Sequence, residues 1–469
     1  MAYRARDISH WYAELYGAET VIPQRDPLVG AVEADVAIVG AGYTGLWTAY
    51  ELLRAEPGIR VVLVEAKFAG YGPSGRNGGA AIAQIVGSRS FWAKKGGSRD
   101  GAIAMERAVQ AGVDEIGAAV EREQIDAKFA KAGVLMLARS PLEAERFRES
   151  ITEDREFGFG PEDTVYLEQQ EVEARIRAAG LIGAKYNAHS ASHDPARLVH
   201  GLATAIERLG GTIYEDTRVV AIEPGKAITE RGSVTAKHVI RATEAYTGWL
   251  AGKKRQIVPV HTTMIATEPI PADRWEEIGW SDRETVLAEH PFLHLQRTHD
   301  HRITIGGDDP RVPYYFGSQT SHDREPARDL QQHYYEQLMR LFPSLRGVKI
   351  AHAWSGVFGA PRDWAPSVGV DERTGLGWAG GYVGEGVVSS NMAGRTLRDL
   401  ILRRETEMTR LPWVRKHPRN WEPEPIRSIG SALIFRGRLI GERNEVRTGK
   451  PSKLVALSNR LAGFSGHLG

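Results

Sequence analysis

Two glycine-rich runs near the start of the chain hold the residues best suited to chemistry: GAGYTG at 40–45 and YGPSGRNGG at 71–79. The first has the form G-x-G-x-x-G. Gly40 permits a tight turn, Gly42 lets the backbone approach a pyrophosphate, and Gly45 lets a helix pack close to a strand. Tyr43 and Thr44 fall in the first turn of that helix, where free N–H groups and the positive dipole end suit phosphate. Glu65, followed by Ala66, stands roughly 20 residues on, where an acid bonds a ribose hydroxyl. An acid there disfavours the 2′-phosphate of NADP.

The second run decides between NAD and FAD. A nicotinamide dehydrogenase uses one glycine turn and continues its sheet, whereas this chain presents another cluster directly after Glu65. Gly75, Gly78 and Gly79 would let the backbone lie along a ribityl chain and an isoalloxazine. Ser74 and Asn77 could donate to phosphate or ribityl oxygens. Arg76 could neutralise the pyrophosphate or sit near the flavin. A plain surface turn uses the same residue types and is the alternative. A third run, GGYVGEGV at 380–387, opens another helix. Gly381, Gly384, Gly386 and Val387 would aim its N–H dipoles at a ligand in front. Within it, Glu385 could bind a substrate ammonium or merely cap the helix, and Tyr382 could wall the pocket. His261, His294 and Arg297 lie on strand-like segments and are candidates to face the flavin.

The elements that must position these residues follow from pattern. ADVAIVG is an apolar run of strand length, and Leu46, Ala49, Tyr50, Leu52 and Leu53 recur at helical spacing until Pro57-Gly58. Arg60 to Val64 reads as a second buried strand. Residues 101–150 read as helical. DPARLVHGLATAIERLGG (194–211) reads as a helix with Asp194 as N-cap and Pro195 at N1. IVPVHTTMIATEPI, FLHLQR and HRITIGG read as antiparallel strands. The expected fold is α/β, with a Rossmann-like dinucleotide domain and a β-sheet substrate domain. The dinucleotide domain is discontinuous, from 31–95, 190–255 and 350–405. The substrate domain comes from 96–189 and 256–349, after an arm at 1–30 and before a tail at 406–469.

Composition narrows the classes. The 469 residues suit two or three domains. A net charge of +1 gives no reason to expect nucleic acid. Without cysteine the chain has no disulfide, iron–sulfur cluster or thiolate metal site. The pairs His189/His193 and His299/His301 lack an evident third ligand, so no metal is expected. No apolar run is long enough to span a bilayer and the start carries no secretory h-region, so a cytoplasmic location is expected. The basic tail contains GSALIFRGRLIGERNEV, mildly amphipathic and expected to pack on the flavin domain or on another subunit.

VAIVGAGYTGLWTAYEL, VVLVEA, YGPSGRNGG, ATEAY and GGYVGEGV together resemble the FAD-dependent D-amino-acid oxidase/glycine oxidase superfamily, and within it the gamma-glutamylputrescine oxidase-like amine oxidases. The resemblance spans about 8–404. It implies FAD contacts at Gly40, Gly42, Gly45, Glu65, Ser74, Arg76, Asn77, Gly78 and Gly79. Val219 would hold the adenine by its backbone, and Gly381, Gly384, Gly386 and Val387 would flank the pyrimidine ring. Glu385 stands where many relatives have histidine. With no cysteine to attach to, FAD is expected to bind non-covalently. The implied chemistry is oxidation of the C–N bond of a primary or secondary amine by hydride transfer to flavin N5. The imine then hydrolyses, and O2 is reduced to H2O2. The alternatives are a dehydrogenase passing electrons to a quinone or protein, a non-catalytic flavin carrier, and an NAD enzyme. Which amine is used, and whether the chain forms a homo-oligomer, stay open.

Overall fold

A computed structural model describes residues 2–280, 282–289, 292–307, 326 and 328–462. The chain starts with a short helix, α1 (His10–Tyr16), capped by the Ser9 side chain. Strand β1 (Gly30–Val39), helix α2 (Tyr43–Ala55) and strand β2 (Val61–Val64) then form a βαβ unit. β1 and β2 pair in parallel, with Val36 opposite Val61. Strand β3 (Gly232–Arg241) lies parallel to β1 on its other side, and Leu376–Gly380 lies parallel to β3. Thr212–Tyr214 extends the sheet beyond β2, and Ser367–Asp371 closes the opposite edge antiparallel. Among the described residues this sheet has eight strands, including the Val219–Glu223 and Lys226–Thr229 ribbon on β3. The central strands read as continuous apolar runs because helices cover the sheet. Leu46, Trp47, Tyr50 and Leu53 of α2 join Leu198, Leu202 and Ile206 in one core.

A second sheet, also eight-stranded among the described residues, contains β4 (Val258–Thr267), β5 (Leu293–Arg297), β6 (Ile303–Gly307) and β7 (Ile350–Ala360). β7–β4–β6–β5 run antiparallel in that order. Thr285–Ala288, Val134–Ala138, Gly183–Asn187 and Thr164–Glu168 continue it. Two sequence readings need correction here. Residues 101–150 are not helical throughout: Val134–Ala138 is a central strand between helices Arg99–Arg122 and Pro141–Glu156, because VLMLA is buried between two partner strands. The start of the 350–405 segment also serves a different sheet from its remainder, since β7 bonds to β4 along its whole length.

Helix Pro195–Arg208 starts as its sequence predicts, with the Asp194 side chain accepting from the Arg197 amide at 3.0 Å. Helix α3 (Gly386–Ile401) packs against α2, where Gly394 leaves room for the Trp47 backbone. The tail forms two helices, α4 (Ile426–Thr448) and α5 (Lys453–Ala462). No helix among the described residues is long and apolar enough to cross a membrane.

Candidate active site

The carboxyl ends of β1, β2 and β3 open into one crevice, the position where open α/β sheets bind ligands. Its cavity holds about 1220 Å³ including its mouth. Gly40, Gly42, Tyr43 and Thr44 form one wall. A Cβ on Gly45 would lie 1.9 Å from the Gly40 carbonyl oxygen, so only glycine lets α2 start this close to β1. Glu65 and Ala66 line the cavity at the end of β2. The Glu65 carboxylate accepts from the amides of Ala41 at 2.8 Å and Lys67 at 3.1 Å, which fixes it beside the glycine turn. Val219 lines the same region with Thr217 and Arg218.

YGPSGRNGG crosses this cavity as a loop with a short 3₁₀ turn at Pro73–Gly75. Ser74 Oγ accepts the Tyr43 amide at 2.8 Å, joining the loop to the start of α2. Asn77 braces the loop from within: its Nδ2 donates to Ser74 O at 2.9 Å and its Oδ1 accepts the Gly79 amide at 2.9 Å. Ser74 and Asn77 line the cavity, whereas Gly75, Gly78 and Gly79 face protein. Gly79 backs onto the His193 carbonyl. A Cβ on Gly78 would stand 2.6 Å from His294 Nδ1, so this glycine lets the loop touch the second sheet.

The N-terminal arm clamps the loop from below, a role the sequence did not announce. Ser9 Oγ donates to Gly75 O at 2.8 Å, and Trp11 Nε1 donates to Asn77 O at 2.8 Å. Arg76 belongs to that clamp and does not meet the cavity. Its guanidinium is buried, donates to Tyr71 O, Ile8 O and Ser355 O, and lies 5.0 Å from the Tyr71 ring centroid. In place of the expected pyrophosphate contact, carbonyl oxygens of its own loop, of the N-terminal arm and of β7 take up its donors.

At the other end, Tyr382, Gly384, Gly386 and Val387 line the cavity, and the first turn of α3 starts there. Tyr382 Oη shares a hydrogen bond of 3.0 Å with Thr44 Oγ1, spanning two walls, and burial raises its phenol well above the ordinary range. Gly381 faces Pro361 instead, and its amide donates to Glu244 Oε2 at 2.8 Å. Glu244 also accepts the Gly359 amide at 3.2 Å. Burial pushes its carboxyl above the usual range, with those amides and Arg241 opposing. Glu244 stands in ATEAY, where no local motif marks it. The available signal was topological, because the residue follows a third parallel strand whose end must face the same crevice.

The three second-sheet candidates separate by strand parity. On β5, Leu293 and Leu295 enter the substrate-side core. Arg297 shares their face, stacks 4.3 Å from Trp275 and donates to Trp280 O. On β4, His261 shares a face with Ile265 of the same core, while Met264 on the opposite face approaches Gly78. Arg297 and His261 are therefore turned away from the cofactor loop, because alternate residues of a strand face opposite sides. His294 alone of the three meets that loop.

Burial lowers the His294 pKa to about 4, opposed by the charge of Glu385. The unfolded chain protonates this histidine below about 6.5, whereas the folded chain does so only near 4. Its contribution to stability is thus complete above the unfolded value and is lost as pH falls between the two. Denaturant titrations should show the stability gap between the protein and His294→Gln changing only below pH ~6.5, with the parent losing up to about 3 kcal/mol more, less where water reaches the ring.

These features suit FAD: a glycine turn and helix start for phosphates, an anchored acid beside them, a second loop along the cavity and a second helix start at its far end. The family model for DAO, FAD dependent oxidoreductase, matches residues 35–400. The chain belongs to this family. It is an FAD-dependent oxidoreductase with the family's Rossmann-like fold. It is 30% identical over 385 residues to gamma-glutamylputrescine oxidoreductase of Escherichia coli K12, covering 80% of this chain and 85% of the relative. Glycine oxidase from Geobacillus kaustophilus superposes with a TM-score of 0.69 at 24% identity, over 82% of this chain and 99% of that one. L-proline dehydrogenase from P. horikoshii superposes at 0.65 with 20% identity, over 84% and 98%. At these identities the solved structures speak for the fold alone. Among the described residues, no group of three or more His, Asp or Glu is placed to hold a metal ion. His189 instead bonds Asp163 at 2.8 Å, and His193 bonds Tyr43 Oη at 3.2 Å.

Proposed function

We propose that this oxidoreductase oxidises the C–N bond of a primary or secondary amine, an amino acid or a polyamine derivative, with O2 as electron acceptor. The observation that carries the reading is the contact of His294 with Gly78 of the FAD loop, in a chain 30% identical to an enzyme named for gamma-glutamylputrescine. FAD, held non-covalently along Gly42, Glu65, Ser74 and the start of α3, supplies the two-electron acceptor. The chain's own residues do the rest. Glu385 attracts the ammonium of the incoming amine. Tyr382, Val387 and Phe358 wall the cavity with apolar surface, which disfavours charge and favours the neutral amine that can react. His294, uncharged at neutral pH, offers a hydrogen bond to the substrate but no positive charge to assist O2.

The test is an anaerobic screen of amines against the yellow holoenzyme, following the flavin absorbance. An amine that bleaches the band, with colour and peroxide returning in air, supports the reading, and Glu385→Gln should then need a higher amine concentration for the same bleaching. Bleaching without peroxide, but with turnover on an artificial acceptor, reassigns the protein as a dehydrogenase. A yellow protein that no amine bleaches sinks the amine assignment.

A further inference from the structure

The two tail helices leave large apolar side chains exposed. The fully buried residues of α4 are polar or small, Arg427, Ser431, Arg438, Gly441 and Glu445, and the partly buried Phe435 packs on Trp364 of the body. The outward face of α4 carries Ile426, Ile429, Leu433, Ile440 and Val446, with Leu433 65% and Ile440 60% exposed. Leu454, Leu457 and Leu461 extend this apolar surface along α5. The two helices are antiparallel neighbours, since Gly441 approaches Val455 and Gly437 approaches Ser458. The pair is held to the body by polar anchors. Arg146 bonds Glu445 through two contacts of 3.1 Å, and Arg362 donates to Ala462 O at 3.3 Å. An apolar stripe on so firmly held a hairpin marks an interaction surface.

Its charge says what kind. Arg436, Arg443, Arg447, Lys450, Lys453 and Arg460 are all exposed around the stripe. From Ile426 to Leu461 no exposed residue is acidic: Glu442 pairs with Arg438 and Glu445 is buried. A two-fold contact with a second copy would set this cationic face against itself. A partner that is apolar inside and anionic at its surface matches both properties. We propose that α4 and α5 form a docking hairpin for an anionic lipid bilayer, lying in the headgroup plane with the leucines and isoleucines inserted and the arginines and lysines on the lipid phosphates. The match to the family model ends at residue 400, so this surface is carried by a part of the chain outside it. The proposal is independent of which amine is the substrate.

Flotation of the purified holoenzyme with vesicles tests it. The yellow protein should rise with phosphatidylcholine vesicles containing phosphatidylglycerol, stay behind with phosphatidylcholine alone, and be released by salt. Leu433→Glu with Ile440→Glu should remain in solution while keeping its flavin band. Arg436→Ser with Arg443→Ser should lower partitioning roughly 30-fold, which gives a second reading if the first variant misfolds. Failure to rise with anionic vesicles at low salt overturns the proposal. So does equal binding to neutral vesicles. A mass of two protomers by light scattering, split by the glutamate pair and without lipid binding, assigns the face to a second copy and overturns it as well.

Discussion

Replacing Gly45 by alanine should yield a protein that no longer retains FAD. The added methyl carbon would stand 1.9 Å from the Gly40 carbonyl oxygen, 3.1 Å from its carbon and 3.3 Å from Ile38 Cγ2. The first two are backbone atoms at the end of β1, so no side chain can swing aside. The start of α2 must withdraw from the strand, at a cost of about 1–3 kcal/mol for overpacking. The loss in cofactor binding is larger than that, because Gly42, Tyr43 and Thr44 move with the helix and Ser74 loses its bond to the Tyr43 amide. FAD affinity should fall at least ~100-fold, equivalent to about 2.7 kcal/mol. Absorbance of the purified protein and titration with added FAD measure this. Gly430→Ala serves as the control, since a Cβ there meets nothing within 4 Å in the exposed helix α4. It should keep the flavin and gain about 1 kcal/mol of stability. A yellow Gly45→Ala protein with parental affinity would remove GAGYTG from the cofactor site.

The contrast between Gly45 and Arg76 shows which parts of the site a sequence can display. The strand, glycine turn, helix and acid of residues 34–65 obey local rules, and each local choice agrees with the others. Arg76 sits in an equally conspicuous motif, yet its direction is set by the carbonyls of Ile8 and Ser355, which no local pattern brings near. β5 falls between these cases. LHLQR alternates, and Leu293 and Leu295 belong to the core, so period two alone places Arg297 with them and His294 opposite. The three candidates could have been divided from the sequence by parity. Which face met the cofactor loop could not, because that depends on how the second sheet docks against Gly78. The tail makes the same point. The spacing of Ile426, Ile429, Leu433 and Ile440 reveals a helix face, and the ordinary rule would turn it inward. The structure turns it outward and sets Phe435 on Trp364 and Glu445 on Arg146, 299 residues earlier, on the inward side.

Glu244→Ala should damage the far end of the cavity, as Gly45→Ala damages the near end. Glu244 follows β3 in a left-handed conformation, φ 39°, which a side chain adopts only when its surroundings hold it there. Val383, across the clasp, is also left-handed at 50°. The carboxylate ties these segments together by accepting the Gly359 amide from β7 and the Gly381 amide from the turn that leads into α3. It is also the leading counter-charge to Arg241, whose guanidinium burial holds down to about 10. Alanine leaves two buried amides without an acceptor, each costing about 1–3 kcal/mol. It also leaves a buried cation without its carboxylate, a loss of about 3–5 kcal/mol in comparable pairs. These terms overlap, so a total of about 3–5 kcal/mol is expected. The turn carrying Tyr382 and Val387 would loosen first. Amide exchange at 381–387 should therefore rise well before global unfolding, and FAD should bind at least ~30-fold more weakly. Glu244→Gln keeps the shape and one acceptor oxygen, so it should recover much of the stability while still weakening the flavin. A merely space-filling residue would predict full rescue by glutamine and no local rise in exchange. If Glu244→Ala keeps both the parental FAD affinity and the parental exchange at Gly381, the clasp does not position the cofactor end of α3.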